Sequence, residues 1–292
     1  MNGSSPELAK FQRFVPVLGD AFFFIQIVFT WSTRSDLCDD LHMLPVAFFI
    51  VAVIYSAVGF GGGSTYIALL ALSDQPAELI PLVALPCNIL VVTLGSYFAV
   101  SRRDFDWRMA IPFFLSSVPL AFIGGIIPID ASIYFLLLGV SLALAGASLC
   151  VRRAPDESLI NPKSWTLALL IGGGLGLLSG MVGIGGGIFL APILHHLRWA
   201  SSKTIAALCS FFILINSTSG LIGQLLKTGV DQAISQLTYG LPLFTAVILG
   251  GILGARFVIE GVAHQRVAQL TGLLVLAVGL RILWAWTSYI QG

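Results

Sequence analysis

Eight runs without a single Asp, Glu, Lys or Arg divide the chain, and they constrain its fold more than any other feature. About 20 apolar residues cross a hydrocarbon layer of about 30 Å as a helix. Only 10% of the 292 residues are charged, where a soluble domain carries about 25%. So few polar side chains cannot cover a water-facing surface, which predicts an all-α polytopic membrane protein. The runs are Leu41–Ser73, Leu79–Ser101, Met109–Ile129, Ala131–Val151, Ser164–Leu197, Thr204–Leu226, Gln232–Ala255 and Val267–Leu280, the last continuing beyond Arg281.

A ninth apolar stretch, Phe14–Trp31, is interrupted by Asp20 and follows two basic residues. The basic residues imitate a signal peptide, but Thr30–Ser32 offers no small-x-small cleavage site. We therefore expect one extra N-terminal span, within an N-terminal region that covers residues 1–40.

Two of the runs are too long for one span and barely long enough for two. Leu41–Ser73 has 33 residues and Ser164–Leu197 has 34, and each contains a glycine cluster about two-thirds of the way along. Consecutive glycines break a helix because they carry high backbone entropy and expose the main chain. We predict that each run forms a re-entrant hairpin, with a longer leg, a glycine tip and a shorter leg that returns to the same side.

The glycine clusters belong to an internal repeat. Val58–Ser64 matches Val182–Ile188 in the pattern Val-Gly-x-Gly-Gly-Gly. Three ordered landmarks further along also match, namely Asn88 with Asn216, Pro112 with Pro242, and Gly124 with Gly254. This predicts two transmembrane repeats, 41–151 and 164–292, each a hairpin plus three transmembrane helices, joined by a polar cytoplasmic linker at 152–163.

The basic residues indicate how the repeats are oriented. If both hairpins return to the side they entered from, each repeat crosses three times and the repeats are inverted. Twelve Lys and Arg then lie in the cytoplasm and two outside, with Arg281 set aside within a span. If each glycine run crossed once, the repeats would be parallel and the split at best eight to six. We therefore predict two inverted repeats and a cytoplasmic N-terminus.

The predicted tips suit a small anion. Each is followed by a short helix, Ser64–Leu72 or Ile188–Leu197, whose N-terminus presents free N–H groups and the positive end of its dipole. Glycine lets a ligand approach the backbone, and the matched amides of Asn88 and Asn216 can donate and accept hydrogen bonds. Inverted repeats with broken helices place the binding site near the membrane midplane. The candidate substrate-binding residues are Gly59, Gly61, Gly62, Gly63, Ser64, Thr65, Asn88, Gly183, Gly185, Gly186, Gly187 and Asn216.

Structural roles compete with these assignments. Glycines in spans also allow close helix packing, and amides in spans also form interhelical hydrogen bonds. Hydroxyls in spans usually bond their own helix. Asp20 and Arg281 are candidates because intramembrane charges are often functional, but neither recurs between the repeats.

Several classes of function find no support. The net charge of +1 gives no basic field for nucleic acid, and four scattered cysteines predict neither a disulfide framework nor a metal site. No P-loop lysine follows the glycines, so no nucleotide or other cofactor is expected. The chain shows no paired intramembrane aspartates, Ser–His dyad or HExxH helix, which argues against an enzyme.

Together these motifs resemble the TauE/SafE sulfite exporter family, also called the 4-toluene sulfonate uptake permease family. The resemblance rests on the duplicated GxGGG, the short helix after each copy, and the Gly-Ala-Arg at Gly254–Arg256; it covers about Leu41–Tyr289. It implies a secondary carrier in the bacterial inner membrane for sulfur-containing anions such as sulfite or organosulfonates. The residues by themselves predict only a small anion, and Phe14–Trp31 is a departure from the family's core.

Two kinds of transport are compatible with the sequence. In an alternating-access carrier, one inverted repeat rocks against the other around the paired tips. In an anion-selective channel, the same re-entrant loops build a selective pore. The expected partners are the lipid bilayer and the small anion, and the energy source and a homodimer stay open.

Overall fold

The computed structural model describes residues 37–58, 61–73, 75–101, 105–151, 164–256 and 262–291. Ten helices and no strand occupy this part of the chain. The helices are α1 (Leu37–Val58), α2 (Gly63–Leu72), α3 (Ile80–Ser101), α4 (Trp107–Ile126), α5 (Ala131–Val151), α6 (Trp165–Val182), α7 (Gly187–Leu197), α8 (Ser202–Thr228), α9 (Val230–Arg256) and α10 (Val262–Gln291). The expected N-terminal span with Asp20, the linker 152–163 and Gly59 lie outside the described residues.

Five of these helices, α4, α5, α6, α8 and α9, are long and apolar enough to cross a membrane. Helices suit this environment because every backbone polar group must be bonded within the segment when no water is present. Large apolar side chains such as Leu115, Leu170 and Leu249 are exposed on the helix surfaces, which suits contact with lipid. This all-helical architecture agrees with the polytopic fold class predicted from the sequence.

Each overlong run folds as a long helix, a glycine break and a short helix. The first run contains α1 and α2, and the second contains α6 and α7. The short helices begin at Gly63 and Gly187, one residue before the predicted starts. α6 ends because Gly183 takes a left-handed conformation, with φ 89°, and its N–H donates to the carbonyl of Ser179 at 2.8 Å.

Small residues set the packing at three helix pairs, where they lie over or bond to a backbone carbonyl of the neighbouring helix. The contacts are Gly172–Phe113 and Gly180–Ala121 between α6 and α4, Ser219–Val118 and Gly223–Phe122 between α8 and α4, and Gly250–Phe49 and Gly254–Val53 between α9 and α1. Residue numbers rise together within each pair, so each pair of helices runs parallel. Packing through glycine brings the backbones unusually close, as is common between membrane helices.

α5 and α10 pack in the opposite sense. Gly139 lies against Gly279, and Gly146 lies against Gly272. Near the end of the same interface the indole N–H of Trp286 donates to a serine hydroxyl of α5 at 2.9 Å. Numbers rise on one helix as they fall on the other, so α5 and α10 are antiparallel.

Residues His42–Gly292 form one compact unit. A buried hydrophobic cluster joins α4, α7 and α8 through Phe113, Leu190 and Phe212, all of them fully buried. This packing fixes the short helix α7 against α8 and so fixes the position of the second glycine segment.

Candidate functional site

The two glycine segments have matching sequences but different backbone conformations. Beside Gly183, the second segment has Gly185 and Gly186 at φ 84° and 77°, in the left-handed region that side chains disfavour. In the first segment Gly62 has φ −82°, and none of the described glycines there has a positive φ. In the first segment glycine is needed because there is no room for a side chain: a Cβ at Gly63 would lie 2.6 Å from Oδ1 of Asn88.

Asn88 and Ile213 bring the two segments together. Asn88, near the middle of α3, lies against Gly61 of the first segment. Its Nδ2 donates a hydrogen bond of 3.2 Å to the carbonyl of Ile184 in the second segment. Ile213 of α8 lies against both Gly61 and Gly185. The segments therefore meet where α3 contacts α8, at about the mid-length of both helices.

Both short helices begin at this meeting point without a capping side chain. Gly62 is the N-cap of α2 and Gly186 is the N-cap of α7, and neither makes a side-chain capping bond. The carbonyl of Gly186 accepts from the N–H groups of Phe189 and Leu190, so helical bonding begins only at those residues. The N–H groups before them, with the positive ends of two helix dipoles, make this region electropositive without any cation.

Several side chains near the segments carry buried polar atoms that have no hydrogen-bond partner among the described residues. Asn216 leaves both amide atoms unbonded and follows Ile213 by three residues, on the same face of α8. Ser217 lies beside Gly185, and its hydroxyl is unbonded, like those of Ser64 and Ser179. Each unbonded buried polar group costs about 1–3 kcal/mol, so the arrangement suits a polar ligand that would bond them.

The site is neutral. Among the residues that the structure describes, no Asp, Glu, Lys, Arg or His side chain is buried. In the same part of the chain, no group of three or more His, Cys, Asp or Glu could hold a metal ion. Any charge that binds here is therefore stabilised by dipoles and hydrogen bonds, which favours an anion at two helix N-termini.

The sequence-predicted residues fall into three groups. Asn88 and Ile213 contact Gly61, Gly63, Gly185 and Gly187 at the meeting point, and Gly62, Ser64 and Gly186 adjoin these glycines along the chain. Gly183 lies instead against Pro81 near the start of α3, and Asn216 lies on the face of α8 that borders the meeting point. Thr65 is buried nearby, but its hydroxyl is already bonded to Tyr55 at 2.7 Å. Gly59 lies outside the described residues. Asn88 uses its amide nitrogen to hold the second segment, whereas the amide of Asn216 is unbonded.

Sequence reasoning missed three residues of the site, Tyr55, Ser179 and Ile213. Tyr55 and Ser179 each stand four residues before the first glycine of a cluster, so the repeat could have identified them as matched hydroxyls. Ile213 gave no signal because it is one apolar residue within an apolar run. Arg281, singled out as an intramembrane charge, has an exposed side chain on α10.

Comparisons with known proteins agree with this architecture. The family model described as Sulfite exporter TauE/SafE matches residues 44–282. A "Probable membrane transporter protein" of Sinorhizobium fredii is 31% identical over 246 residues, which cover 82% of this chain and 97% of the relative. Another, of Methanocaldococcus jannaschii, is 26% identical over 194 residues, 63% of this chain and 72% of the relative.

The similarity extends to plants. "Sulfite exporter TauE/SafE family protein 2" of Arabidopsis thaliana is 29% identical over 145 residues, 48% of this chain and 31% of the relative. No solved structure matches the chain. The family is one of membrane transporters and not a class of enzymes, and the five apolar spans agree with a multi-pass membrane protein. The chain belongs to the TauE/SafE sulfite exporter family of membrane transporters.

Proposed function

We propose that this protein is a secondary transporter that carries a small anion, sulfite or an organosulfonate, by alternating access at the paired glycine segments. One observation carries the proposal: two uncapped helix N-termini meet deep in the fold against the face of α8 that also carries the fully buried, unbonded amide of Asn216. Such a site gives an oxyanion hydrogen-bond donors and positive dipole ends without a buried cation, whose desolvation would be costly.

Helix directions support the prediction that each glycine segment is the tip of a re-entrant hairpin. α6 and α8 both run parallel to α4, as their contacts with Ala121 and Val118 illustrate. α7 is joined to α8 by Arg198–Ser201, and its first residue, Gly187, lies against Cys209. α7 is therefore antiparallel to α8 and to α6. The chain enters along α6, turns at the glycines and returns along α7.

Matched contacts support the inversion of the two repeats. Gly139 and Gly272 are 133 residues apart, and so are Gly146 and Gly279. Gly139 therefore matches Gly272, and Gly279 matches Gly146. When each residue of the Gly139–Gly279 contact is replaced by its match in the other repeat, the result is the Gly272–Gly146 contact, as a two-fold axis between the repeats requires. Because α5 and α10 are antiparallel, this two-fold would reverse the direction of one repeat relative to the other. The split of twelve to two in basic residues points the same way.

Helix packing indicates which parts rock during transport. α4, from the first repeat, is held against α6 and α8, from the second, by backbone contacts such as those of Ala121 with Gly180. α9, from the second repeat, is held against α1 in the same manner, at Gly254 and Val53. We therefore take α4, α6 and α8 as one rigid group and α1 and α9 as the other. α3 packs against both α9 and α8, and we assign it to the second group. The two groups meet along α3 and α8, where the site lies, so rocking would expose the site to each side in turn.

The family supports the substrate class and the location. The matching family and the Arabidopsis relative bear the name sulfite exporter, which favours sulfur oxyanions over other small anions. The distribution of basic residues favours a cytoplasmic N-terminus, and the resemblance favours the inner membrane of a bacterium. A channel that uses the same tips is the alternative, and exchange across a proteoliposome membrane distinguishes a carrier from a channel.

Uptake into proteoliposomes tests the proposal. Purified protein should take up sulfite and organosulfonates with saturable kinetics, and substrate loaded inside should accelerate uptake by exchange, which a channel would not do. Asn216→Ala should lower the affinity roughly 10- to 100-fold, because a hydrogen bond to a charged group contributes about 1.5–3 kcal/mol. The control is Thr218→Val, since Thr218 is exposed on the same helix and bonds only its own turn, at Leu214. Equal uptake by both variants would rule out the site.

A further inference from the structure

We infer that the site takes a monoanion that carries its own O–H or N–H donor, an inference that rests on the proposed function. The proton is then carried by the substrate and not by a protein side chain. For a sulfur oxyanion with an ionisation near neutral pH, the form carried is hydrogensulfite rather than the dianion. The inference follows from the acceptors that the site presents and from the charges that it lacks.

Two fully buried amides at the site offer oxygen atoms that no donor reaches among the described residues. They belong to Asn88 and Asn216. The nitrogen of Asn88 bonds the carbonyl of Ile184 at 3.2 Å, whereas both amide atoms of Asn216 are unbonded. A carbonyl only accepts, so its partner must be the amide nitrogen and the unbonded atom must be the oxygen.

These oxygens select for a ligand with a donor. The oxygens of a sulfonate or of a fully ionised oxyanion only accept, and beside an amide oxygen they meet a lone pair. An O–H or N–H on the ligand bonds the oxygen instead and removes the penalty of leaving it buried and unbonded. The uncapped N–H groups of α2 and α7 then bond the charged end of the same ligand.

The neutrality of the site selects for a single charge. The cost of transferring an ion from water to a site of low polarity rises with the square of its charge, so a dianion costs about four times as much as a monoanion. Two helix dipoles supply roughly one elementary charge between them, which matches a monoanion. No buried cation is present in the described part of the chain to match a second charge.

The titratable side chains buried in the surrounding helices are phenols and thiols; they are Tyr55 of α1, Tyr66 of α2, Cys87 of α3, Tyr134 of α5 and Cys209 of α8. Among the described residues no carboxyl, amine, guanidinium or imidazole is buried. The imidazoles of His195 and His196 lie in the last turn of α7, at the end away from the glycines. A pH dependence of transport would therefore come from the substrate.

Flux measured across pH tests the charge. Initial uptake of sulfite at constant total concentration is compared between about pH 6 and about pH 8 with that of 2-hydroxyethanesulfonate, a permanent monoanion with an O–H donor. We expect sulfite uptake to fall about tenfold per pH unit above its ionisation, as the hydrogensulfite fraction falls, while uptake of the sulfonate stays constant. Sulfite uptake that stays level or rises while the sulfonate is carried overturns the inference. Parallel falls also overturn it, because the protein would then be titrating. Uptake of neither anion at any pH refutes the proposed function instead.

Paired sulfonates test the donor at one pH. Wild-type protein should bind 2-hydroxyethanesulfonate roughly 3- to 10-fold more tightly than ethanesulfonate, as expected for one hydrogen bond to a neutral buried acceptor. Asn216→Leu keeps the side-chain size but removes one of the two acceptor amides, and should reduce the preference; Thr218→Val should keep it in full. The wild-type comparison stands even if Asn216→Leu fails to fold. Equal affinity of the wild type for the two sulfonates would overturn the donor requirement.

Discussion

Gly63→Ala tests whether the two glycine segments must stay joined through Asn88. A Cβ at position 63 would lie 2.6 Å from Asn88 Oδ1 and 2.7 Å from its Cγ, well inside van der Waals contact. Gly63 has no left-handed φ, so alanine adds no backbone strain and the amide of Asn88 must move instead. The amide would then lose the carbonyl of Ile184, which it reaches at 3.2 Å.

The size of the effect follows from these two losses. Overpacking typically costs about 1–3 kcal/mol, and a buried amide without its bond costs about 1–3 kcal/mol more. We therefore expect Gly63→Ala to lower the free energy of unfolding by about 2–6 kcal/mol. Because the Asn88 bond links the segments, we also expect a more than tenfold loss of uptake per inserted protein. Thermal unfolding in detergent and initial uptake into proteoliposomes measure the two effects.

Two further variants isolate the cause. Gly174→Ala is the matched control, since a Cβ there meets no atom within 4 Å and alanine favours the helix by up to about 1 kcal/mol. Adding Asn88→Ala to Gly63→Ala removes the clashing amide, so stability should recover in part while uptake stays low. If Gly63→Ala were as stable and active as Gly174→Ala, the reasoning about this contact would be refuted.

The remaining predictions concern strain, packing and motion. Gly186→Ala and Gly229→Ala both place alanine at a positive φ, at 77° and 85°, and position 229 has nothing within 4 Å. Each should lose about 1–3 kcal/mol to backbone strain in thermal unfolding, and only Gly186→Ala should also lose uptake. Trp286→Phe removes a hydrogen bond between α10 and α5 and should cost about 0.5–1.5 kcal/mol in the same assay without changing substrate affinity. A disulfide between Leu120→Cys and Gly173→Cys joins α4 to α6 within one rigid group, so oxidation should leave uptake intact; a block reversed by reductant would contradict the grouping.

Much of the fold could be predicted from charge and glycine patterns. The charge-free runs predicted the long helices, and the glycine clusters predicted the two short helices to within one residue. These predictions succeed because lipid forces the backbone into helices and leaves glycine breaks as the main interruptions. The inversion and the hairpins stay predictions, supported by helix direction, and the expected substrate-binding role of the glycines stays a prediction as well.

The sequence could not predict how differently the two glycine clusters behave. Their letters match, but the ring of Tyr66 packs within 2.9 Å of where a Cβ would stand on Gly62, whereas the matched position on α7 is Leu190. Likewise Asn88 and Asn216 are matched, yet only Asn88 finds a carbonyl partner. The first difference comes from side chains beside each glycine cluster, where the two repeats have different residues. The second depends on a neighbour from the other repeat, Ile184, which no pattern within one repeat contains.

The exchange of α4 and α9 between the repeats bears on how the transporter would move. If each repeat moved as a unit, α4 would have to separate from α6. Glycines such as Gly176 bring the backbones of these two helices into contact, and closely packed interfaces resist separation. Movement between the two exchanged groups preserves those contacts and changes mainly the interface of α3 with α8. That interface contains Asn88, Ile213 and both glycine segments, so the contacts that change during rocking would be the ones that surround the anion. A substrate that bonds both segments would then bias the same equilibrium that opens and closes its site.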